Sequence, residues 1–151
     1  MLESLKSRLR SWTEIDVPYI VQKIADMNDI KDAIIYLNTE KQLYLGKDKL
    51  GQDLDSIGGE YSPFTMDIKS SVGQPIDRVT LRDTGTFYES FEVHSFTNYI
   101  EITANPFKDG KDLQKRWGFN IIGLNEENKQ WLINEIKSRL LDEIKAIVLG
   151  Y

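Results

Sequence analysis

The segment Val79–Ala104 constrains the fold most, because its apolar period changes from helical to alternating within a few residues. Phe87 and Phe91 stand four residues apart, which places both on one side of a helical turn. After Phe91 apolar and polar residues alternate, and they alternate again over Tyr99–Ala104, as is typical of two strands. The segment therefore predicts a turn of helix that leads into a β-hairpin.

The alternation also predicts how the two strands of the hairpin pair. A tight loop at Thr97-Asn98 pairs Val93 with Ile102 and collects the apolar residues on one face. The same register puts His94 opposite Glu101 on the exposed face. A four-residue loop shifts the pairing by two residues and leaves both faces unchanged, because side chains alternate with a period of two.

The residues that precede the helical turn suggest how the turn begins. Val79–Leu81 is strand-like in composition. The break at Asp83-Thr84-Gly85 supplies a side-chain oxygen, from Asp83 or Thr84, that is suited to cap the turn. We therefore expect these polar residues to serve folding rather than chemistry.

Residues 1–14 are predicted to form an N-terminal helical arm. Apolar residues recur every three or four positions, at Leu2, Leu5, Leu9 and Trp12, and basic residues occupy the polar side, at Lys6, Arg8 and Arg10. Two interpretations stay open. The arm docks on a partner through its basic face, or it packs on its own domain as a terminal helix.

Two main amphipathic helices are predicted outside the hairpin. One begins at Asp16-Val17-Pro18, where Asp is a favoured N-cap and Pro suits the first turn. Its apolar stripe runs to about Tyr44 and is interrupted at Asn28-Asp29, so it is one long helix or two in series. The other begins at Asn125 as N-cap and ends at Gly150.

Residues 46–77 carry half of the glycine and proline residues of the chain, which predicts irregular backbone. Thirty such residues in a compact domain are unusual, and long loops of this kind are commonly functional. A helical turn is expected within them at Thr65–Ser71. Two interpretations stay open: a projecting loop or arm that becomes ordered against a neighbour, or a surface loop packed on its own domain.

The predicted fold class is α+β, within one domain that covers residues 1–151. We expect a small antiparallel sheet of three to four strands, with the two main helices packed on it. Besides the hairpin, Trp117–Ile122 is predicted to add a strand, and Gly118 allows a bulge there.

Two segments of the chain resemble a known protein family. The first reads Leu81-x-Asp83-Thr84-Gly85-x-Phe87-x-x-Ser90-Phe91 and is similar to the L-x-x-T-G-x-L-x-x-S-I segment of bacteriophage tail-completion and head–tail joining proteins. The second reads Tyr61-Ser62-Pro63-x-Thr65 followed by Lys69, and resembles the Y-S-x-x-T-x-x-x-K segment of that family. Phe87 and Phe91 replace the more usual Leu and Ile, a change of volume that an apolar face can absorb.

The resemblance implies a non-enzymatic virion protein of a tailed phage, made in the host cytoplasm and located in the neck or tail region. It implies a homo-oligomeric ring between the head connector and the tail, with connector, portal-proximal or tail proteins as neighbours. Two alternatives stay open: a monomeric adaptor that binds a partner through the hairpin edge, and a hydrolase that uses carboxylates, for which no residue is favoured.

The residue types needed for catalysis are sparse. His94 is the only histidine, which excludes a multi-histidine metal site, and a cross-strand pair with Glu101 is the favoured role. Gly46-x-x-x-x-Gly51 has Gln52 where a phosphate loop requires Lys. The acidic stretch of Asp48, Asp53, Asp55 and Glu60 lacks the spacing of a calcium loop and indicates a solvated loop. We therefore predict no catalytic residue, metal site or cofactor.

Aromatic residues concentrate in the middle of the chain. Phe87 and Phe91 are predicted to lie in the core. Tyr88, Phe96 and Tyr99 point to the other face of the predicted hairpin. They are candidates for an interface if that face is apolar and open, because aromatic side chains are enriched in interfaces.

Charge and composition limit the partners. The 19 basic and 24 acidic residues give a net charge of -5, which argues against specific nucleic-acid recognition, whereas an acidic ring would hold DNA passing through its lumen only weakly. There is no cysteine, so disulfide bonds are excluded. No apolar run approaches the length of a membrane span, and Met1–Lys6 lacks the apolar core of a signal peptide. We expect a protein that works without a membrane.

Overall fold

The structure is a computed structural model that describes residues 1–150. Within that range the chain forms eight α-helices and four short β-strands, an α+β arrangement. The helices are α1 (Leu2–Thr13), α2 (Val17–Ala25), α3 (Asn28–Thr39), α4 (Leu54–Gly58), α5 (Pro63–Ser71), α6 (Thr86–Glu89), α7 (Leu113–Trp117) and α8 (Glu126–Leu149). The strands are β1 (Glu92–Ser95), β2 (Ile100–Thr103), β3 (Phe107–Lys108) and β4 (Lys111–Asp112).

The β1–β2 hairpin has the predicted register. Val93 is paired with Ile102 and His94 with Glu101, and the backbone N–H of Phe96 donates to the carbonyl oxygen of Tyr99 at 2.8 Å. Val93 is buried and His94 is exposed. The alternation therefore predicted correctly which face of each strand is buried, as a two-residue period requires.

The single sheet of three to four strands is not confirmed. β1 pairs with β2 and β3 with β4, in two separate antiparallel sheets of two strands each. The prediction of a strand over Trp117–Ile122 is wrong. The carboxylate of Asp112 accepts from the backbone N–H of Gln114 at 3.0 Å and so caps α7, while a 3₁₀ turn follows at Phe119–Ile121. Capping favours the helix that ends at Trp117, and the 3₁₀ turn takes up most of the remaining apolar and aromatic residues.

The segment before the hairpin differs from the prediction in two respects. Val79–Leu81 is buried but is not a strand, and Leu81 has a φ of +57°. The predicted cap from Asp83 or Thr84 is wrong, because Gly85 is the N-cap of α6 and no side chain caps that helix. Gly85 has a φ of +94°, a conformation in which a residue without Cβ is favoured.

The main helices begin where their caps were predicted. Asp16 accepts from the backbone N–H of Tyr19 at 3.2 Å, and Asn125 accepts from that of Asn128 at 2.9 Å. The stripe from Asp16 to Tyr44 forms two helices in series, α2 and α3, which was one of the two alternatives. Residues 1–14 contain α1, which contacts α8.

The long projecting loop predicted over residues 46–77 is not confirmed. The segment contains α4 and α5, and an isolated antiparallel bridge joins Lys47 to Asp53. Leu54 is fully buried in the core. The helical turn expected at Thr65–Ser71 is present within α5, which starts two residues earlier because Ser62 caps it and Pro63 occupies its first position.

The core consists of two apolar clusters. One surrounds the segment that precedes the hairpin and contains Leu43, Leu54, Val79, Leu81, Phe87, Tyr88, Phe91, Leu113, Trp117 and Ile121. The other lies among α2, α3, β1 and the start of α8, and contains Ile20, Ile24, Ile30, Ile34, Leu37, Val93 and Leu124. Ile35 and Ile102 pack against both clusters. None of the helices in residues 1–150 combines the length and the apolar character that crossing a membrane requires.

Candidate partner-binding groove

An open groove of about 690 Å³ lies between α5, the backbone around Leu81, the β3–β4 turn and α7. Its apolar and aromatic lining comes mainly from α5 and α7, and its charged lining from the β3–β4 turn and α7. The lining includes Phe64, Ile68, Lys108, Lys111, Lys115 and Arg116. The volume is within the range of ligand pockets.

The two segments that carry the family resemblance meet at this groove. The hydroxyl oxygen of Tyr61 accepts from the backbone N–H of Thr80 at 3.0 Å and of Leu81 at 3.2 Å. Lys69 is buried, and its Nζ donates to the carbonyl oxygen of Arg82 and to Gln74 Oε1, the latter at 3.0 Å. The contacts to Thr80, Leu81 and Arg82 join residues that are 13 to 20 positions apart in the chain.

The backbone at Thr80 is held from its other side by Tyr88. The hydroxyl of Tyr88 donates to the carbonyl oxygen of Thr80 at 2.5 Å. Burial raises the pKa of this phenol, and the neighbouring Glu40 raises it further, so the phenol keeps its proton. Tyr88 is buried, so it does not lie on an open face and the condition for an interface role is not met.

Apolar side chains form one wall of the groove. Phe64 is 74% exposed and Ile68 is about half exposed on the outer face of α5. Leu113 and Trp117, in α7, are buried at the base. An exposed aromatic ring beside a buried apolar base is the arrangement expected of a protein-binding surface.

The opposite side of the groove is cationic. Six of the lining residues are Lys or Arg and three are Asp, although the whole chain is acidic. Lys108 pairs with Asp83 at 3.4 Å, and Arg116 donates to the carbonyl oxygen of Gly58 at 2.7 Å. Lys111 and Lys115 are exposed and form no salt bridge within residues 1–150. The groove therefore offers two free ammonium groups to an anionic partner.

Sequence reasoning named the α5 side of this groove but missed its cationic side. The sequence patterns assign no binding role to residues 108–116. The available signal was the density of charge, since Lys108, Lys111, Lys115 and Arg116 fall within nine residues. Their convergence on α5 depends on the way that β3, β4 and α7 fold.

Of the polar residues considered from the sequence, Asp83 lines the groove, whereas His94 does not. His94 is exposed on β1, opposite Glu101, and its Nε2 is 3.4 Å from Glu92 Oε2. Among residues 1–150, no three His, Asp or Glu side chains are placed to hold a metal ion together.

The prediction of a solvated acidic loop is wrong at Asp48. Its side chain is fully buried, and its Oδ1 accepts from the backbone N–H groups of Leu50 and Gln52, each at 2.9 Å. Such local bonds from an aspartate stabilise a turn. Asp48 is therefore a folding residue of the segment 46–77.

Two further aromatic residues predicted for an interface are exposed at the tip of the β1–β2 hairpin. Phe96 is 42% exposed and Tyr99 60% exposed. Their rings stack with centroids 4.7 Å apart. The tip therefore presents a preformed aromatic pair.

Apolar side chains also remain uncovered on the first and last helices. On α1 they are Leu2, Leu5, Leu9 and Trp12, and on α8 they include Trp131, Ile133, Leu141, Ile147 and Leu149. α1 and α8 contact each other, but the contact leaves these residues open. Apolar area of this kind is typical of surfaces that bind another molecule.

Comparison with protein-family models, with curated proteins and with solved structures finds no match for this chain.

Proposed function

We propose that this chain is a non-enzymatic structural protein of a tailed-phage virion, and that its copies form a ring in the neck or tail-completion region between the head connector and the tail. The observation that carries the proposal is the contact between the two resembling segments. Tyr61 and Lys69 of one segment bond to the backbone of Leu81 and Arg82 in the other. The resemblance therefore concerns one folded unit rather than two unrelated short matches.

The shared residue types have folding roles that explain why such a unit needs them. Ser62 caps α5. Gly85 supplies the positive φ at the start of α6. Ser90 Oγ donates to Phe87 O at 2.6 Å and accepts from the N–H of Asn105 at 2.9 Å, so it ties α6 to the end of the hairpin.

The uncovered apolar faces support assembly. The exposed residues of α1, among them Leu5, Leu9 and Trp12, have no cover within residues 1–150. Burial of apolar surface stabilises association by roughly 25 cal/mol per Å² before the cost of ordering is met. In the ring, neighbouring subunits or the adjoining connector and tail proteins cover these faces.

The segment 46–77 contributes to the same assembly through α5. Phe64 and Ile68 lie on the outer face of α5, where a neighbouring subunit can contact them. In this proposal the segment is the part of the subunit that reaches a neighbour, and the net charge of -5 keeps DNA in the lumen from adhering.

Electron microscopy tests the proposal. Purified protein at high concentration, and virions labelled with an antibody to this chain, are expected to show a ring or a defined neck layer. A monomer that is absent from virions would contradict the proposal. If that monomer instead bound a partner through the β1–β2 hairpin, it would be the adaptor.

A further inference from the structure

The tip of the β1–β2 hairpin and the groove have complementary chemistry. The tip presents the stacked rings of Phe96 and Tyr99. Its exposed strand face carries Glu101, which has no salt-bridge partner in the described part of the chain. The groove presents exposed apolar side chains on α5 and the free ammonium groups of Lys111 and Lys115. The aromatic rings of the tip therefore match the apolar wall of the groove, and the carboxylate of Glu101 matches its cations.

The chain topology prevents a molecule from filling its own groove with its own tip. The tip precedes Ile100, the first residue of β2, and the groove residues of β3 and β4 follow Thr103, the last residue of β2. A strand advances about 3.3 Å per residue, so the tip and the groove lie at opposite ends of β2. A contact between them has to join two copies.

A contact between unlike surfaces at opposite ends of a subunit repeats from copy to copy. Such head-to-tail interfaces produce rings when the rotation between copies closes. The rings of Phe96 and Tyr99 already stack on each other within one copy, so little side-chain freedom is lost on docking. The hairpin is therefore a suitable donor element.

We propose that the hairpin tip of one copy docks in the groove of the next, with Phe96 and Tyr99 against Phe64 and Ile68 and with Glu101 near Lys111 and Lys115. This inference rests on the proposed ring and names the contact that closes it. The occupant of the groove is a second copy of this chain.

Cysteine cross-linking tests the contact directly, because the natural chain has no cysteine. A variant carrying both Asn98→Cys, at the tip, and Asp109→Cys, in the groove lining, is oxidised and separated on a non-reducing gel. A ladder of covalent oligomers is expected. The matched control carries Asn98→Cys and Lys137→Cys, on the exposed surface of α8, and is expected to give no ladder.

A mixing experiment supplies a second readout without cross-linking. The tip variant is Phe96→Ser with Tyr99→Ser, and the groove variant is Lys111→Glu with Lys115→Glu. Each variant alone is expected to lose the ring. An equimolar mixture is expected to stop at a dimer in sedimentation, because only one intact tip and one intact groove remain per pair of chains.

The outcomes separate this inference from the proposed function. Two results would overturn the docking contact and leave the ring standing. One is a ring in the natural protein with a ladder that is absent or no stronger than that of the control. The other is a ring formed by either mixing variant alone. Absence of the ring in the natural protein and in virions would overturn both.

Discussion

The hydroxyl oxygen of Tyr61 lies 3.2 Å from the backbone nitrogen of Leu81 and accepts its hydrogen bond. Leu81 has a φ of +57°, in the left-handed region that costs a residue with Cβ about 1–2 kcal/mol. The same oxygen accepts from the backbone N–H of Thr80. One side chain therefore satisfies two amide groups of a strained backbone whose residues are buried.

Replacing Tyr61 by Phe is expected to lower the free energy of unfolding by about 1–3 kcal/mol. The ring is retained, but the N–H groups of Thr80 and Leu81 lose their acceptor. Denaturant titration followed by circular dichroism measures the change. Tyr19→Phe is the control, because Tyr19 is exposed and water solvates its hydroxyl. Equal stability of the two variants would show that the Tyr61 bonds contribute little.

Replacing Lys69 by Met is expected to destabilise the same unit by about 1–3 kcal/mol, because the carbonyl oxygen of Arg82 loses a charged donor inside the protein. Met keeps most of the side-chain volume. Lys137→Met is the matched control, since Lys137 is exposed and exposed changes of this kind usually alter stability by less than about 0.5 kcal/mol. A loss that is the same for both lysines contradicts the prediction.

The hairpin was predictable because its determinants are local. Alternation fixed which side chains share a face, and the tight loop at Thr97-Asn98 set the pairing of Val93 with Ile102. Asn125 marked the start of α8. The backbone around Leu81 was not predictable, because Tyr61, which takes its N–H, is 20 residues away in the chain. A short apolar stretch was therefore interpreted as a strand although a distant side chain holds it in another conformation.

One side of the groove was predictable from the sequence and the other was not. Its α5 side contains residues that a local motif identified, among them Tyr61 and Lys69. Its cationic side depends on α7, which was missed because the aromatic and apolar residues near Trp117 favour a strand, whereas the cap at Asp112 favours a helix. The position of the lysines in the folded protein depends on tertiary structure, which local sequence patterns do not show.

Replacing Asn38 by Leu is expected to destabilise the protein by about 2–4 kcal/mol, because two buried backbone groups lose their partners. Asn38 is fully buried. Its Nδ2 donates to Ile121 O at 3.3 Å and its Oδ1 accepts from Gly123 N at 2.8 Å. Asn134→Leu, on the exposed face of α8, is the control for denaturant unfolding. A loss at Asn38 no larger than that at Asn134 would count against this role of the amide.

Replacing Gly58 by Ala is expected to destabilise the contact between α4 and α7 by about 1–3 kcal/mol. A Cβ at this position would lie 2.4 Å from Trp117 Nε1, which is far inside van der Waals contact, so the indole has to move. The measurement is the free energy of unfolding in the natural chain and in a Trp117→Leu background. The loss of unfolding free energy caused by Gly58→Ala is expected to be smaller in that background, because the obstructing ring is gone. An unchanged loss would show that the Trp117 ring is not its cause.

Replacing Asp29 by Asn is expected to lower Tm at neutral pH, by less than Asn38→Leu does. The Tm difference between the Asp29→Asn variant and the natural protein is expected to vanish in acid. The hydrogen bond from Arg139, at 2.7 Å, lowers the pKa of the Asp29 carboxyl below its ordinary value of 3.8. The folded protein therefore binds this proton less readily than the unfolded chain does. The stabilisation is fully present above the unfolded pKa and is lost as pH falls through the folded pKa.

Thermal unfolding of both proteins at neutral pH and at about pH 2, which lies below the ordinary carboxyl pKa, checks the sign of this effect. Asp32→Asn is the control, because Asp32 lies on the same helix, is exposed and makes no salt bridge within residues 1–150. In the Asp29→Asn variant the side-chain amide oxygen would still accept from the N–H of Ile30, as the carboxylate of Asp29 does at 3.0 Å. A Tm difference that persists unchanged in acid would show that the charge of Asp29 is not what joins α3 to α8.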